Sequence, residues 1–412
     1  MTTLNTSING ESCQFSLAEL ANTTPLATEL DEIFECVPYQ RLRETILAER
    51  TRAFSPLGRF GYSFEVMFKA YLAGYVFGIR STNDLIRRLQ DDPVFALICG
   101  FNISRKPLCR KTFSRFIRKL GRHQDLIDKC LSEITTRLQQ LLPKFGEEVA
   151  YDSTSIHSHS NPNSKVISDT DAGWMVKGGS DRKKWEWGLR LHLLVDANWE
   201  LPIAKQVTPP RDGEKKVMLP LLRKAKTQLP WFNPKMVIGD KGCDKYEIFE
   251  GIVKEFDAEP IIKHANPLPE ITGSPAAPVC PAGLFLIYRS WDKTKGLQYQ
   301  CPERAGKAQC PLIEKCRLKT VWIHPVRDYR RFGYRIPRNS EEWLERYHKR
   351  VAVERSISRL KDKRRLNSHC FRGVKMIDLH CTLAIMTMQA MALAKVKAGE
   401  LDALRVTARK IA

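Results

Sequence analysis

The sequence predicts a mixed α/β domain that is interrupted by a cysteine-rich segment and preceded by an all-α, helix-turn-helix-like domain. Three observations predict it. Apolar residues recur at three- and four-residue steps in the first third of the chain, and short extended runs then take over, two of them carrying or ending in an aspartate. Four of the 12 cysteines crowd into the segment from Cys280 to Cys316. With 412 residues, 43% of them hydrophobic, the chain can bury two or three cores and is not disordered.

Residues 1–60, rich at their start in Thr, Ser and Asn, read as an N-terminal arm with at most one short helix. Residues 61–145 read as a helical DNA-binding domain. Phe64, Met67, Phe68, Tyr71 and Leu72 make one buried stripe, and Leu85, Ile86 and Leu89 make a second. A third helix, capped by Thr112, buries Phe113, Phe116, Ile117 and Leu120 and leaves Arg115, Arg118 and Lys119 outward, where they can meet phosphates. The α/β domain occupies residues 146–265 and 330–395. Its strands are Val149–Ile156, Gly188–Asp196, Leu201–Val207, Met236–Asp240 and Pro260–Lys263, with helices at Val217–Ala225 and Lys245–Glu255, in the order β-β-β-α-β-α-β. Asp196-Ala-Asn198 reads as the turn of a hairpin, with Asp196 as its opener. Residues 266–329 form the cysteine-rich insertion and 396–412 a C-terminal helical tail.

The last helix of the α/β domain begins credibly, with Pro337, Asn339 and Ser340 as boundary and cap and Glu341 and Glu342 at its positive end. On one continuous helix at about 100° per residue, Tyr347, Arg350, Glu354 and Lys361 fall within an arc of roughly 60°. One face would then present a phenol, a guanidinium, a carboxylate and an ammonium.

The net charge is +21, and it is concentrated. Arg317 to Arg372 holds 17 Lys/Arg against 6 Asp/Glu, a local excess of +11, and Ile103 to His123 holds 8 Lys/Arg and no acid. Such concentrations most often face a polyanion, and nucleic acid is the commonest. No uninterrupted apolar stretch reaches the length of a membrane span, and the N-terminus has neither a basic nor an apolar leader region. The expectation is a protein of a reducing cytoplasm with no membrane partner, its scattered cysteines mostly buried thiols.

Two-metal phosphoryl transfer needs oxygen ligands from elements distant in sequence and adjacent in space, so that two ions about 3.5–4 Å apart flank the scissile phosphate. Asp152 in the first strand, Asp240 at the end of the fourth and Glu354 on the last helix meet that demand. Aspartate is depleted in strands, so Asp152 inside Val-Ala-Tyr-Asp-Ser-Thr asks for a reason.

These residues resemble the DDE transposases of bacterial insertion sequences, in particular the group of insertion-sequence-4/5 type marked by a Y-x2-R-x3-E-x6-K signature. Tyr347, Arg350, Glu354 and Lys361 complete that signature. Ala150-Tyr-Asp152-Ser-Thr is similar to the family's first-aspartate strand, and Val237-Ile-Gly-Asp240-Lys-Gly-Cys-Asp244 to its second, with Cys243 where a Tyr is usual. The likeness covers roughly residues 60 to 395. It implies an RNase H-like catalytic fold with Asp152, Asp240 and Glu354 as ligands of two Mg²⁺ (or Mn²⁺) ions. It further implies cleavage at the element's terminal inverted repeats and transfer of the freed 3′-OH to target DNA by a homodimer or larger oligomer on double-stranded DNA, in the nucleoid of a bacterium. Arg350, Lys361 and Tyr347 would then contact DNA. The alternative is a transposase-derived DNA-binding protein that no longer cuts.

Three further features carry expectations. Cys280, Cys301, Cys310 and Cys316 have gaps of 20, 8 and 5 residues, and three of them precede Pro, so a structural zinc held by the four thiolates is one reading and unliganded thiols the other. Trp174, Trp185 and Trp187 flank Arg182, Lys183 and Lys184 in a loop suited to stacking and phosphate contact, or to packing on the sheet. His157-Ser-His159 could bind a catalytic metal, but strand alternation puts both histidines opposite Asp152.

Overall fold

The computed structural model describes residues 3–8, 11–16, 24–52, 61–102, 109–177, 183–265, 271–325 and 328–405. Strands β1 (Thr3–Ile8) and β2 (Glu11–Ser16) pair as an antiparallel hairpin. Where the sequence suggested an arm, two helices follow, α1 (Pro25–Glu35) and α2 (Gln40–Arg52). Thr24 caps α1 through the amide of Ala27, and Leu30, Ile33 and Phe34 recur at helical spacing, so α1 has an apolar face to bury.

The helical region continues with α3 (Phe64–Val76), α4 (Thr82–Asp91), α5 (Pro93–Ile98), α6 (Arg110–Arg122) and α7 (Gln124–Leu141). The predicted stripe of α6 is present, with Phe113, Ile117 and Leu120 buried and Phe116 packed beside them. Its start is three residues earlier than expected. Cys109 takes the cap position, and the Thr112 hydroxyl faces the Cys109 thiol at 3.4 Å instead of closing the helix end.

The mixed sheet contains β3 (Glu148–His157), β4 (Gly173–Lys177), β5 (Lys184–Asp196), β6 (Pro202–Thr208), β7 (Met236–Gly239) and β8 (Glu259–Ile262). Its order is β4-β5-β3-β7-β8, with β6 also on β5; β3 runs antiparallel to β5 and parallel to β7. Helices α8 (Glu214–Gln228) and α9 (Tyr246–Phe256) join the parallel strands. The domain is RNase H-like, and each expected strand and helix lies close to its predicted position. β4 was not foreseen. Trp174 lies on it and pairs across to Trp187 of β5, their rings edge-to-face at 5.4 Å, so the tryptophans lie on paired strands.

Between β8 and the next long helix, residues 271–323 make a separate unit. Strands β9 (Thr272–Gly273) and β10 (Pro278–Val279) pair, and β11 (Ile287–Asp292), β12 (Gly296–Gln300) and β13 (Thr320–Ile323) form a three-stranded sheet. Ile271, Leu286, Tyr299, Leu318 and Ile323 give it a small core of its own, which includes Cys280.

The chain returns through α10 (Tyr329–Phe332), α11 (Glu341–His348), α12 (Val351–Lys363) and α13 (Val374–Lys397). Ser340 caps α11 as predicted, by accepting from the Trp343 amide. The expected single long helix, however, is two. The amides of Lys349, Arg350, Ala352 and Val353 each bond three residues back, a 3₁₀-like joint between α11 and α12. Helix α13 is long and apolar enough by average composition to cross a membrane, although polar residues such as Asp378, His380 and Gln389 interrupt it. It is instead a core helix, packed on α7, β6, α1, α3 and α6 with most of its side chains buried.

Candidate active site

Parallel pairing fixes the two aspartates. Ala150 of β3 is level with Ile238 of β7, so Asp152 and Asp240, each two residues further on, stand at the same height on neighbouring chains and on the same face. Asp152 lies within β3 and accepts from the Ser153 amide at 2.7 Å. Asp240 immediately follows β7 and caps the 3₁₀ turn Lys241–Cys243 through the Lys241 amide at 2.6 Å. That turn is anchored beyond by Asp244, which is fully buried and takes a two-pronged bond from Arg330 at 2.5 and 2.6 Å.

Glu354 sits in the first turn of α12, which packs on β3 and β5. Arg350 links it to the first aspartate, with one guanidinium nitrogen 2.5 Å from Glu354 and another 3.5 Å from Asp152. The joint is positioned from below by Glu148 at the start of β3. That carboxylate takes Arg346 at 2.7 Å and also Lys349, whose ammonium reaches Asn198 at 3.2 Å as well. Tyr347 stacks on Trp343 with centroids 5.4 Å apart, and Lys263, just past β8, lies 4.4 Å from the Tyr347 ring centre. Lys361 is half-buried further along α12.

The electrostatics are those of crowded carboxylates. Burial raises the Asp152 carboxyl to about 7, and the charges of Glu214 and Asp240 push the same way, against Arg350. Beneath them the Cys243 thiol is fully buried and pushed well up, first by burial and then by Glu214, Asp152 and Asp240. Cys243 therefore acts as packing under the acids. Glu214, Ser153, Arg190 and Lys263 belong to the site and escaped the sequence reading. Glu214 resembles any first-turn acid of a helix, and a single sequence carries no sign that its carboxylate points at β3.

Among the described residues no group of three or more His, Cys, Asp or Glu side chains is drawn close enough to hold a metal ion. At the acidic site the Arg350 guanidinium is the cation between Asp152 and Glu354. The donors are nonetheless hard oxygens whose mutual repulsion calls for positive charge, and they fit Mg²⁺ or Mn²⁺. The four cysteines of the insertion are likewise not gathered. Cys280 and Cys301 are buried, and Cys310 and Cys316 half-buried, in a unit whose apolar residues already supply a core.

The remaining predicted contacts are dispersed. Arg115 and Arg118 are exposed on α6, but Lys119 is turned inward, donating to the Ile46 carbonyl at 3.1 Å and pairing with Glu49 at 3.4 Å. Lys183 and Lys184 are exposed at the start of β5, and Arg182 lies outside the described residues. His159 packs edge-to-face on His369 at 5.5 Å, away from the acidic site, and Asp196 opens its turn as expected.

Residues 143–388 match the family described as the transposase DDE domain. The chain belongs to the DDE transposases. A second match, to the transposase domain DUF772, covers residues 18–119 of this transposase and so takes in α1 and α2. No curated protein matches the chain.

Proposed function

We propose that this transposase binds the terminal inverted repeats of an insertion sequence and catalyses strand cleavage followed by strand transfer. Asp152, Asp240 and Glu354 are the residues that would hold two divalent ions. The observation that carries the reading is the equal height of Asp152 within β3 and Asp240 just past the parallel strand β7, with Glu354 tied to Asp152 through Arg350. The chemistry supplied when Mg²⁺ or Mn²⁺ is bound is activation of the attacking oxygen and stabilisation of the leaving one.

The protein's own share is positioning and charge compensation. Arg350 bonds both carboxylates without DNA, and a phosphate drawn to the site would compete for it. Lys361 and Lys263 add positive charge beside the strand end, and Tyr347 presents its edge there while its face stays on Trp343. Arg115, Arg118, Lys183, Lys184 and Arg182 are proposed to grip the flanking duplex, and the active form to be a homodimer or larger oligomer on double-stranded DNA.

The test is nicking of a duplex carrying the element end in Mg²⁺. Asp152→Asn, Asp240→Asn and Glu354→Gln should each abolish cleavage and leave binding intact. A wild-type protein that binds this duplex and never nicks it would make the chain a binding-only descendant of the family.

A further inference from the structure

We infer that Glu214 is a positioning residue that fixes Asp152 and Asp240 relative to one another, bridging Ser153 on one side and Gly242 on the other. The inference rests on the assignment of the two aspartates proposed above. Glu214 is the first residue of α8, a helix that packs on β3, on β5 and on the 3₁₀ turn after Asp240. One of its oxygens accepts from the Ser153 hydroxyl at 2.7 Å, directly beside Asp152. That hydroxyl in turn accepts from Arg190 of β5 at 2.9 Å, and the Arg190 guanidinium lies 3.7 Å from the same Glu214 oxygen. Serine, arginine and glutamate thus close a triangle over the backbone that carries Asp152.

The other Glu214 oxygen faces the turn that carries Asp240. A Cβ built on Gly242 would lie 1.9 Å from it, a distance no atom pair tolerates. The carboxylate therefore occupies the space that glycine leaves open. It spans from the residue after the first aspartate to the second residue after the other, and the backbone carbonyl of Glu214 also faces the Tyr151 hydroxyl at 3.5 Å. None of this places Glu214 on DNA or on the reacting atoms. Its role is to hold two other carboxylates at a set spacing, and outer partners of this kind typically change metal affinity by about 10- to 100-fold when removed.

Gly242 provides the decisive variant. Its clash is with the end of a flexible side chain, so Gly242→Ala should displace the Glu214 carboxylate and leave the backbone in place. Mn²⁺ affinity of the full-length protein, measured by calorimetry, should fall about tenfold or more in Glu214→Ala and in Gly242→Ala. Glu214→Gln keeps an acceptor for Ser153 and should stay within about threefold of wild type on the same scale. The two sites should be non-additive, because without the carboxylate the added methyl meets only ordinary contacts. Glu214→Ala/Gly242→Ala should bind Mn²⁺ as Glu214→Ala does.

Melting temperatures separate this from a structural anchor, which would lower stability and leave the metal affinity of the folded protein unchanged. Wild-type affinity in both single variants, full additivity in the double, or Glu214→Gln as weak as Glu214→Ala would each overturn the positioning role. Asp152→Asn is the control. If it retains wild-type Mn²⁺ affinity, the assignment of the aspartates falls and takes this inference with it. If it loses binding while the Glu214 and Gly242 variants keep it, only the inference falls.

Discussion

Asp152 and Asp196 both lie on the strand pair β3–β5, and burial raises both carboxyls, Asp152 to about 7 and Asp196 to about 6. What their oxygens accept separates them. Asp196 takes the amides of Gly146 at 2.6 Å, Asn198 at 2.9 Å and Trp199 at 2.6 Å, so its capacity is spent inside the fold. Asp152 takes one amide and otherwise faces like charge and Arg350. Asp196→Ala should therefore cost about 2–3 kcal/mol in urea unfolding, because the buried Gly146 amide and the part-buried amides of Asn198 and Trp199 lose their acceptor. Asp152→Asn should unfold no earlier than wild type, since removing a buried, repelled charge relieves the native state. Both outcomes are read from the same denaturation curves. The difference was half legible in the sequence: Asp196-Ala-Asn is a turn signal, and Asp152 is conspicuous as an aspartate in a strand. That Glu214 joins the second and not the first follows only from how α8 docks.

The elements themselves were largely written in the residue pattern, and the exceptions share a cause. β3, β5, β6, β7 and β8 are short apolar runs between turn signals, which periodicity reads well. β4 was missed because a five-residue edge strand next to a Gly-rich stretch has too few alternations to register, and its pairing with β5 is a long-range fact. The break between α11 and α12 was missed for a related reason. Nothing in Tyr347-His-Lys-Arg350-Val is a helix breaker, and the joint is imposed by Arg346 and Lys349 reaching Glu148 on a strand about 200 residues away in sequence. Glu148 thereby sets where Arg350 and Glu354 stand. Glu148→Ala should remove the nearest carboxylate of two partly buried cations, leaving Arg346 with Glu342 at 3.7 Å and Lys349 with Asn198 at 3.2 Å, cost about 1–3 kcal/mol in thermal or urea unfolding, and lower nicking more than it lowers DNA binding. Equal losses in binding and nicking would mean that the joint serves the fold alone.

At the scale of the whole molecule, the helical region and the sheet share one core, in which Phe68, Tyr71 and Phe113 continue through α13 to Leu193 and Ile238. The sequence suggested a boundary near residue 145 because texture changes there, but a change of secondary structure is not a change of core. A stack of polar aromatics crosses this junction: Tyr75 of α3 bonds His380 of α13 at 2.7 Å, and His380 lies 4.9 Å from His369, which meets His159. His369 is 3% exposed, and burial, with the charges of His159 and Arg365 adding, lowers it to about 4 against the opposing pull of Asp169 and the His157 carbonyl. It is thus neutral in the folded protein wherever the unfolded chain, with an ordinary value near 6.5, has begun to take up a proton. The stability it contributes is complete above about pH 6.5 and is lost progressively as pH falls towards 4, with a loss of about 2 kcal/mol by pH 5. His369→Phe should flatten that part of the stability curve, measured as urea midpoints at pH 7 and pH 5. An unchanged slope would place the acid sensitivity elsewhere, because burial also lowers His264 to about 4 and that residue lies beside Asp244, far from α3 and α13 in the chain.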